Sequence, residues 1–404
     1  MIIFIERSFR LLSGLLLTIL LSKALPIHLY GEYSYYLSVI TILSCVSTFG
    51  LDDGIKSFYL DENKRDDVIS IAVYIKVLLA IITTSAFLIY LSSINAELWL
   101  YLFSGFIFSC VGTLFYSISI ISPQVNKLSK TYLLYGGGGF IIKAAMIYFG
   151  FFNAFLIFFS FEWIVITIVS MKIMKIRWCN INKNVELVKD VIKSSLPLFI
   201  SSLAIIGYYK SDQLILGYYL GFTENATYAL ASQFIIASGF FHGIYINRVF
   251  PSIFKVKDDK NALSKVMMRY YSYSSLASLF VFVFVYFGFE HIFNFIWGAD
   301  YETVPKLVCL GVLGLFFSGI GLLQTQKLIA MGLGKYRMYR VIIGVLLNIF
   351  LNCLLIPYFG VYGAVYSTLL SQFFSSIFIN FIFKNTRVDF YEQIKGALLL
   401  GVRG

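Results

Sequence analysis

The chain is a succession of apolar runs, each long enough to cross a bilayer, joined by short polar connections. A span through the hydrocarbon core needs about 20 predominantly apolar residues. Twelve stretches meet that length: about 8–29, 34–55, 70–92, 97–121, 130–149, 152–171, 194–219, 225–249, 272–296, 304–328, 337–357 and 361–383. In lipid every backbone polar group must be satisfied within its own segment, which predicts helices. The runs are continuous rather than alternating, which excludes a transmembrane barrel. Composition agrees. Hydrophobic residues make up 59% and charged residues 13% of the 404 positions, against about 45–50% and 25% in soluble domains. Too little polar surface remains for a soluble enzyme, a disordered chain or a secreted disulfide scaffold. No small-residue cleavage site follows the first run, so it reads as a span and not as a removable signal.

The formal net charge is +11. In a soluble chain that would point to nucleic acid, but here its distribution gives another reason. Nearly all of the 32 Lys and Arg fall at the N-terminus, in every second connection, or at the C-terminus. Arg7 and Arg10 open the series, Lys56, Lys64 and Arg65 follow, and Lys384, Arg387, Lys395 and Arg403 close it. The exceptions are Lys306, Lys23 near the outer end of the first run, and Lys76, Lys143 and Lys210 within runs. Basic residues near span ends stay in the cytoplasm. Both termini are therefore expected there, with no nucleic-acid partner.

The longest polar connection divides the runs six and six, giving an N-terminal lobe over 1–171, a cytoplasmic linker over 172–193, a C-terminal lobe over 194–383 and a cytoplasmic tail over 384–404. The halves echo each other. Tyr148-Phe149-Gly150 and Ala154 return 210 positions later as Tyr358-Phe359-Gly360 and Ala364, and at that offset Glu162 meets Gln372. A six-span repeat keeps its orientation, so the halves would be related by an axis along the membrane normal with a cleft between them. The expected fold is all-α and polytopic: about twelve spans in two six-helix lobes around a central cavity.

Ionisable groups at membrane depth cost about 2.5–3.5 kcal/mol on insertion scales and are functional candidates. Here they are Lys76, Lys143, Glu162, Lys210 and Asp212. Gly136, Gly139 and Lys143 share a helix face, which points Lys143 either into a cavity or onto a carboxylate such as Glu162. Lys210 and Asp212 are two positions apart and do not face each other on a helix. Lys76 either lines the cavity or snorkels towards its cytoplasmic end. Asn348 and Asn352 share a face, as helix-joining amides do. Asp52-Asp53 and Asp66-Asp67, beside Lys64 and Arg65, read as a solvated loop. The cationic excess inside suits an anionic ligand such as a pyrophosphate head group better than a drug cation.

Other chemistries lack their residues. Cys45, Cys110, Cys179, Cys309 and Cys353 form no CxxC pair, and His28, His242 and His291 are far apart, so neither a disulfide framework nor a metal site is expected. No Walker A sequence is present, and no external connection is long enough for the catalytic loop of a glycan polymerase or ligase. The chain is expected to be a transporter without a cofactor, and not an enzyme.

Several local patterns resemble a known family. They are the Arg7 helix followed by Leu29-Tyr30-Gly31-Glu32-Tyr33 and Phe49-Gly50-Leu51; Leu196-Pro197 with Asp212-Gln213, then Leu220-Gly221 and Tyr228-Ala229; Phe250-Pro251; and Ile356-Pro357-Tyr358-Phe359-Gly360-Val361-Tyr362-Gly363-Ala364. With the length and span count, the chain resembles the Wzx-type O-antigen flippases of the polysaccharide transporter group. That superfamily also holds MATE drug exporters and lipid II flippases, and the latter typically add two spans. The resemblance implies a MATE-like fold in a bacterial inner membrane. It implies an undecaprenyl-pyrophosphate-linked oligosaccharide, the O-antigen repeat unit of lipopolysaccharide biosynthesis, as the substrate moved by alternating access. It also implies membrane lipids and other polysaccharide assembly proteins as partners. The family's cavity cations correspond by position to Lys76, Lys143 and Lys210. Lys143 and Lys210 are expected to hold the pyrophosphate, and Asp212 and Glu162 to couple an ion or balance those lysines. The competing readings are a MATE-type cation antiporter and a membrane glycan polymerase or ligase.

Overall fold

The computed structural model describes residues 2–61, 64–176, 178, 185–298 and 300–398, excepting the side chains of 3, 4, 240–244 and 246–248. The described residues contain helices and no strand. In order they are α1 (Ile2–Ala24), α2 (Ile27–Thr48), two short turns (Leu51–Gly54 and Lys56–Tyr59), α3 (Arg65–Ser93), α4 (Leu98–Ser119), α5 (Val125–Tyr148), α6 (Phe152–Met174), α7 (Val185–Leu220), α8 (Phe222–Ser238), α9 (Phe240–Lys255), α10 (Lys260–Trp297), α11 (Val304–Ala330), α12 (Gly334–Phe359), α13 (Val361–Ile382) and α14 (Arg387–Ala397).

Among the described residues, nine helices are long and apolar enough to cross a membrane: α2 with its following turn, α3, α4, α6, α7 and α10 to α13. The remaining expected spans fall on helices that polar residues or breaks dilute. α1 carries Glu6, Arg7, Arg10 and Lys23, and α5 carries four consecutive glycines and Lys143. The expected run over 225–249 is two helices, α8 and α9, meeting at Gly239.

Breaks fall where backbone chemistry puts them. The run expected to continue to about 29 ends at Ala24, because Pro26 (φ −53°, ψ 144°) is extended and α2 begins after it. Proline lacks a donor and pushes the preceding residue out of the helical region. The repeated Tyr-Phe-Gly motif supplies two matching turns: Gly150 at φ +75° joins α5 to α6, and Gly360 at φ +60° joins α12 to α13. Only glycine takes such backbone angles readily.

The chain forms two compact units, Met1–Pro26 with Tyr36–Lys210, and Ile27–Tyr35 with Ser211–Gly404. The first has a core of Leu51, Ile55, Tyr59, Val68, Ile69, Leu114, Phe115 and Val191. The second has one of Val249, Ile253, Leu263, Met267, Tyr271, Ile320 and Leu323. The stretch read as a linker is helical at both edges, since α6 runs to Met174 and α7 starts at Val185. The segment read as a tail contains α14, packed on the second unit. Within that unit, residues Phe374–Phe378 of α13 form one π-helical turn. Arg340 uses it: the guanidinium donates to the Ser375 carbonyl at 2.9 Å and the Ser376 carbonyl at 3.2 Å, groups that a widened turn leaves available.

Candidate functional site

Asp212 sits on α7 with its side chain buried. Its carboxylate accepts from Tyr228 of α8, from Asn352 Nδ2 of α12 at 2.5 Å and from Thr368 Oγ1 of α13 at 2.9 Å. Asn352 Nδ2 also reaches Asn348 Oδ1 at 3.2 Å, which Ser211 Oγ contacts at 3.0 Å. Both asparagines are fully buried. Every donor to the carboxylate is neutral, and no cation pairs with it among the described residues. Asn352 Oδ1 is buried with no hydrogen-bond partner. The site is thus a buried negative charge beside an unused amide oxygen, with hydroxyl and amide oxygens around it. Such all-oxygen sets suit a proton or a hard cation. Sequence spacing placed Asn348 and Asn352 on one face. It did not show that the face meets Asp212, 140 positions away.

Lys143 and Glu162 pair at 2.6 Å across α5 and α6, with side chains 10% and 13% exposed. The ammonium also lies 5.7 Å from the centre of the Phe159 ring. A Cβ at Gly139 would stand 2.3 Å from Glu162 Oε1, so that glycine admits the carboxylate. Glu162 borders a groove of ≈ 580 Å³ lined by Leu134, Tyr135, Gly138, Phe158 and Phe161. Of the two directions open to Lys143, the structure shows the carboxylate partner.

Lys76 is fully buried. Its ammonium donates to Asp52 and, at 2.7 Å, to the Cys110 carbonyl. Thr113 Oγ1 donates to the other Asp52 oxygen at 2.8 Å, and Ser117 Oγ to the Asp52 carbonyl at 2.8 Å. Asp52, read as part of a solvated loop, is therefore the partly buried partner of Lys76. Its neighbour Asp53 keeps the surface role, pairing with Lys56 at 2.5 Å. Lys210 is half-buried on α7 and makes no ion pair among the described residues. The structure does not bring Lys76 and Lys143 together: each is closed on its own carboxylate.

Two clusters escaped the sequence reading. Arg10 pairs with Glu6 at 2.7 Å, lies 4.1 Å over Tyr116, and Tyr116 Oη donates to Glu6 at 3.1 Å. The i, i+4 spacing of Glu6 and Arg10 was the available signal. Lys327, in the last turn of α11, is buried between Asp389 and Glu392 at 2.6 and 2.7 Å. His28 packs edge-on against Phe222 at 5.4 Å, and the His242 side chain lies outside the described residues. No group of three or more His, Cys, Asp or Glu able to hold a metal occurs among the described residues.

A family profile described as polysaccharide biosynthesis protein matches residues 8–257, more than half of the chain. The chain belongs to this family. Its fold is that of MOP-superfamily transporters. A lipid II flippase, MurJ, in an inward closed conformation superposes with TM-score 0.73 at 17% identity, covering 98% of this chain and 90% of that one. An inward-facing multidrug resistance MATE family transporter gives 0.70 at 12% identity, covering 97% and 99%. A MOP-superfamily transporter from Pyrococcus furiosus, described as having a binding pocket of reversed polarity, gives 0.57 at 12% identity over 98% and 94%. No curated protein matches the chain by sequence. The family connects the chain with polysaccharide biosynthesis, and the nine long apolar helices among the described residues, with the fold, bear out a multi-pass membrane protein.

Proposed function

We propose that the protein is a flippase of the bacterial inner membrane. It moves an undecaprenyl-pyrophosphate-linked oligosaccharide, an O-antigen type repeat unit, from the cytoplasmic to the periplasmic leaflet. The lobes 1–171 and 194–383 alternate in opening a central cavity to the two sides. Lys210 is the first candidate to meet the pyrophosphate, because it carries a charge that no carboxylate among the described residues neutralises. Lys143 joins it when Glu162 releases the ammonium, and Lys76 supports the lobe through Asp52. Other polysaccharide assembly proteins consume the product on the far side.

The observation that carries the coupling is Asp212, a buried carboxylate held by neutral donors from three helices. A proton or a sodium ion entering there neutralises the charge and completes Asn352 Oδ1. Because α7, α8, α12 and α13 all contribute, occupancy favours one arrangement of those helices, and differential affinity between two arrangements is what drives a cycle. The same lone carboxylate also fits a MATE-type cation antiporter.

The test is a strain lacking this gene with its glycan assembly enzymes intact. The expected result is lipid-linked units on the cytoplasmic leaflet and restoration of surface polysaccharide by the wild-type chain. Asp212→Asn and Lys143→Ala/Lys210→Ala should not restore it. Units that reach the periplasm unpolymerised would favour a polymerase. Unchanged glycan, with drug efflux unaffected by the lysine substitutions, would favour the antiporter.

A further inference from the structure

Helix α14 is amphipathic in the reverse sense to a helix on a soluble protein. Its acidic and amide residues face inward. Asp389, Glu392 and Gln393 are buried. Lys327 Nζ donates to Asp389 Oδ1 at 2.6 Å and to Glu392 Oε2 at 2.7 Å. Gln324 Nε2 reaches Asp389 Oδ2 at 2.5 Å, and Asn380 Nδ2 reaches Gln393 Oε1 at 2.9 Å. Its apolar and basic residues face outward: Val388 and Tyr391, with Leu398 just past its end, are 68%, 52% and 67% exposed, interleaved with exposed Arg387 and Lys395. Both acidic side chains of the helix are used inside, so the outer face is apolar and positive.

The fold fixes where that face lies. α13 ends at Ile382 and α14 begins at Arg387, a separation of at most about 17 Å even if extended. The link is short and folded, with Thr386 Oγ1 bonded to the Asn380 carbonyl at 3.2 Å. Asn385 Nδ2 also donates to Tyr336 Oη at 2.7 Å, and the Tyr336 and Phe383 rings lie 5.5 Å apart. These contacts bring the start of α12, with exposed Lys335 and Arg337, beside Lys384 and Arg387. A polybasic cluster with an apolar row is thereby held at the end of a membrane span, on the side that carries most of the chain's lysine and arginine.

We propose that α14 lies in the membrane interface as a docking face for anionic lipid head groups of that leaflet. Val388, Tyr391 and Leu398 enter the acyl boundary, and Lys335, Arg337, Lys384 and Lys395 meet the head groups. Each basic residue near an anionic surface contributes on the order of 1 kcal/mol, and clusters of about 4–8 beside a span recognise such lipids. Apolar side chains on the same helix bury to the head group boundary. A lipid partner is favoured over a soluble protein because the lipid surface is already within reach of a helix held this close to its span.

The experiment uses the full-length chain carrying Tyr391→Trp, with the unsubstituted chain as the background, in vesicles of phosphatidylcholine and phosphatidylglycerol. The bromine quencher is placed on the acyl chains of one lipid or the other at equal mole fraction. Brominated phosphatidylglycerol should quench the new tryptophan about fivefold more effectively, the preference expected of one basic residue at an anionic surface. That preference should disappear in a Lys335→Gln/Arg337→Gln/Lys384→Gln/Lys395→Gln variant, whose changed side chains are all exposed, and should fall with added salt. Equal quenching by the two lipids overturns the head-group recognition. Absence of quenching by both overturns the docking and leaves the face to a protein partner. A preference that survives the four substitutions overturns the assignment of the basic cluster.

Discussion

Lys143 and Glu162 pair at 2.6 Å with little exposure, and that fixes how substitutions there should behave. Removing one member leaves the other charged and buried, which costs about 3–5 kcal/mol. Replacing both by apolar residues of similar size is often neutral. Lys143→Met or Glu162→Gln alone should lower the thermal midpoint of the purified protein markedly, and Lys143→Met/Glu162→Leu should recover most of the loss. Surface polysaccharide should remain absent in the double variant, since its stability returns without the cation assigned to the pyrophosphate. Full rescue by the double variant would make the pair purely structural. At this scale the sequence revealed which groups were unusual, because charge within an apolar run is conspicuous. It did not reveal their partners. Asp52 lies among acidic neighbours with the composition of a surface loop, and only the fold turns it onto Lys76.

The helices were legible where apolar length and backbone chemistry agreed, as in α3, α6 and α13, and less so where they conflicted. Pro26 breaks an apolar stretch that composition alone would carry through. α14 was hidden for the opposite reason: its buried face is polar and its exposed face apolar, so neither periodicity nor charge marked it as packed structure. Glycines give the sharpest test of an element. At Gly139 an added methyl meets Glu162 Oε1 at 2.3 Å, while at Gly136 its nearest neighbour is Phe9 at 3.9 Å. Gly139→Ala should therefore disturb the Lys143 pair, with a thermal midpoint below that of the parent, and Gly136→Ala should leave the midpoint essentially unchanged. Gly360→Ala forces a side chain into φ +60°, ψ −139°, at a cost of about 1–3 kcal/mol, although nothing crowds the site. Equal midpoints for Gly136→Ala and Gly139→Ala would show that the close approach to Glu162 is not required.

Orientation in the membrane follows from two patterns at opposite ends of the same helices. α5 begins with Lys127 and Lys130 and ends at Tyr148, which is 83% exposed. α12 begins with Lys335 and Arg337 and ends near Tyr358, which is 81% exposed. α7 follows the basic stretch and ends near Tyr218, which is 80% exposed. Aromatic residues with a polar tip settle at the bilayer boundary, whereas lysine and arginine in short connections stay in the cytoplasm. The tyrosine-bearing ends should therefore face outward. Single cysteines introduced at Tyr218 or Tyr358, in a chain whose own cysteines are serine, should react with a membrane-impermeant maleimide in intact spheroplasts. Cysteines at Lys335 or Lys384 should react only after permeabilisation. The reverse pattern would turn the molecule over and with it the direction proposed for the substrate. A mixed pattern, with Tyr218 and Tyr358 on different sides, would require an odd number of crossings between α7 and the end of α12, and would change the count of spans as well as their orientation.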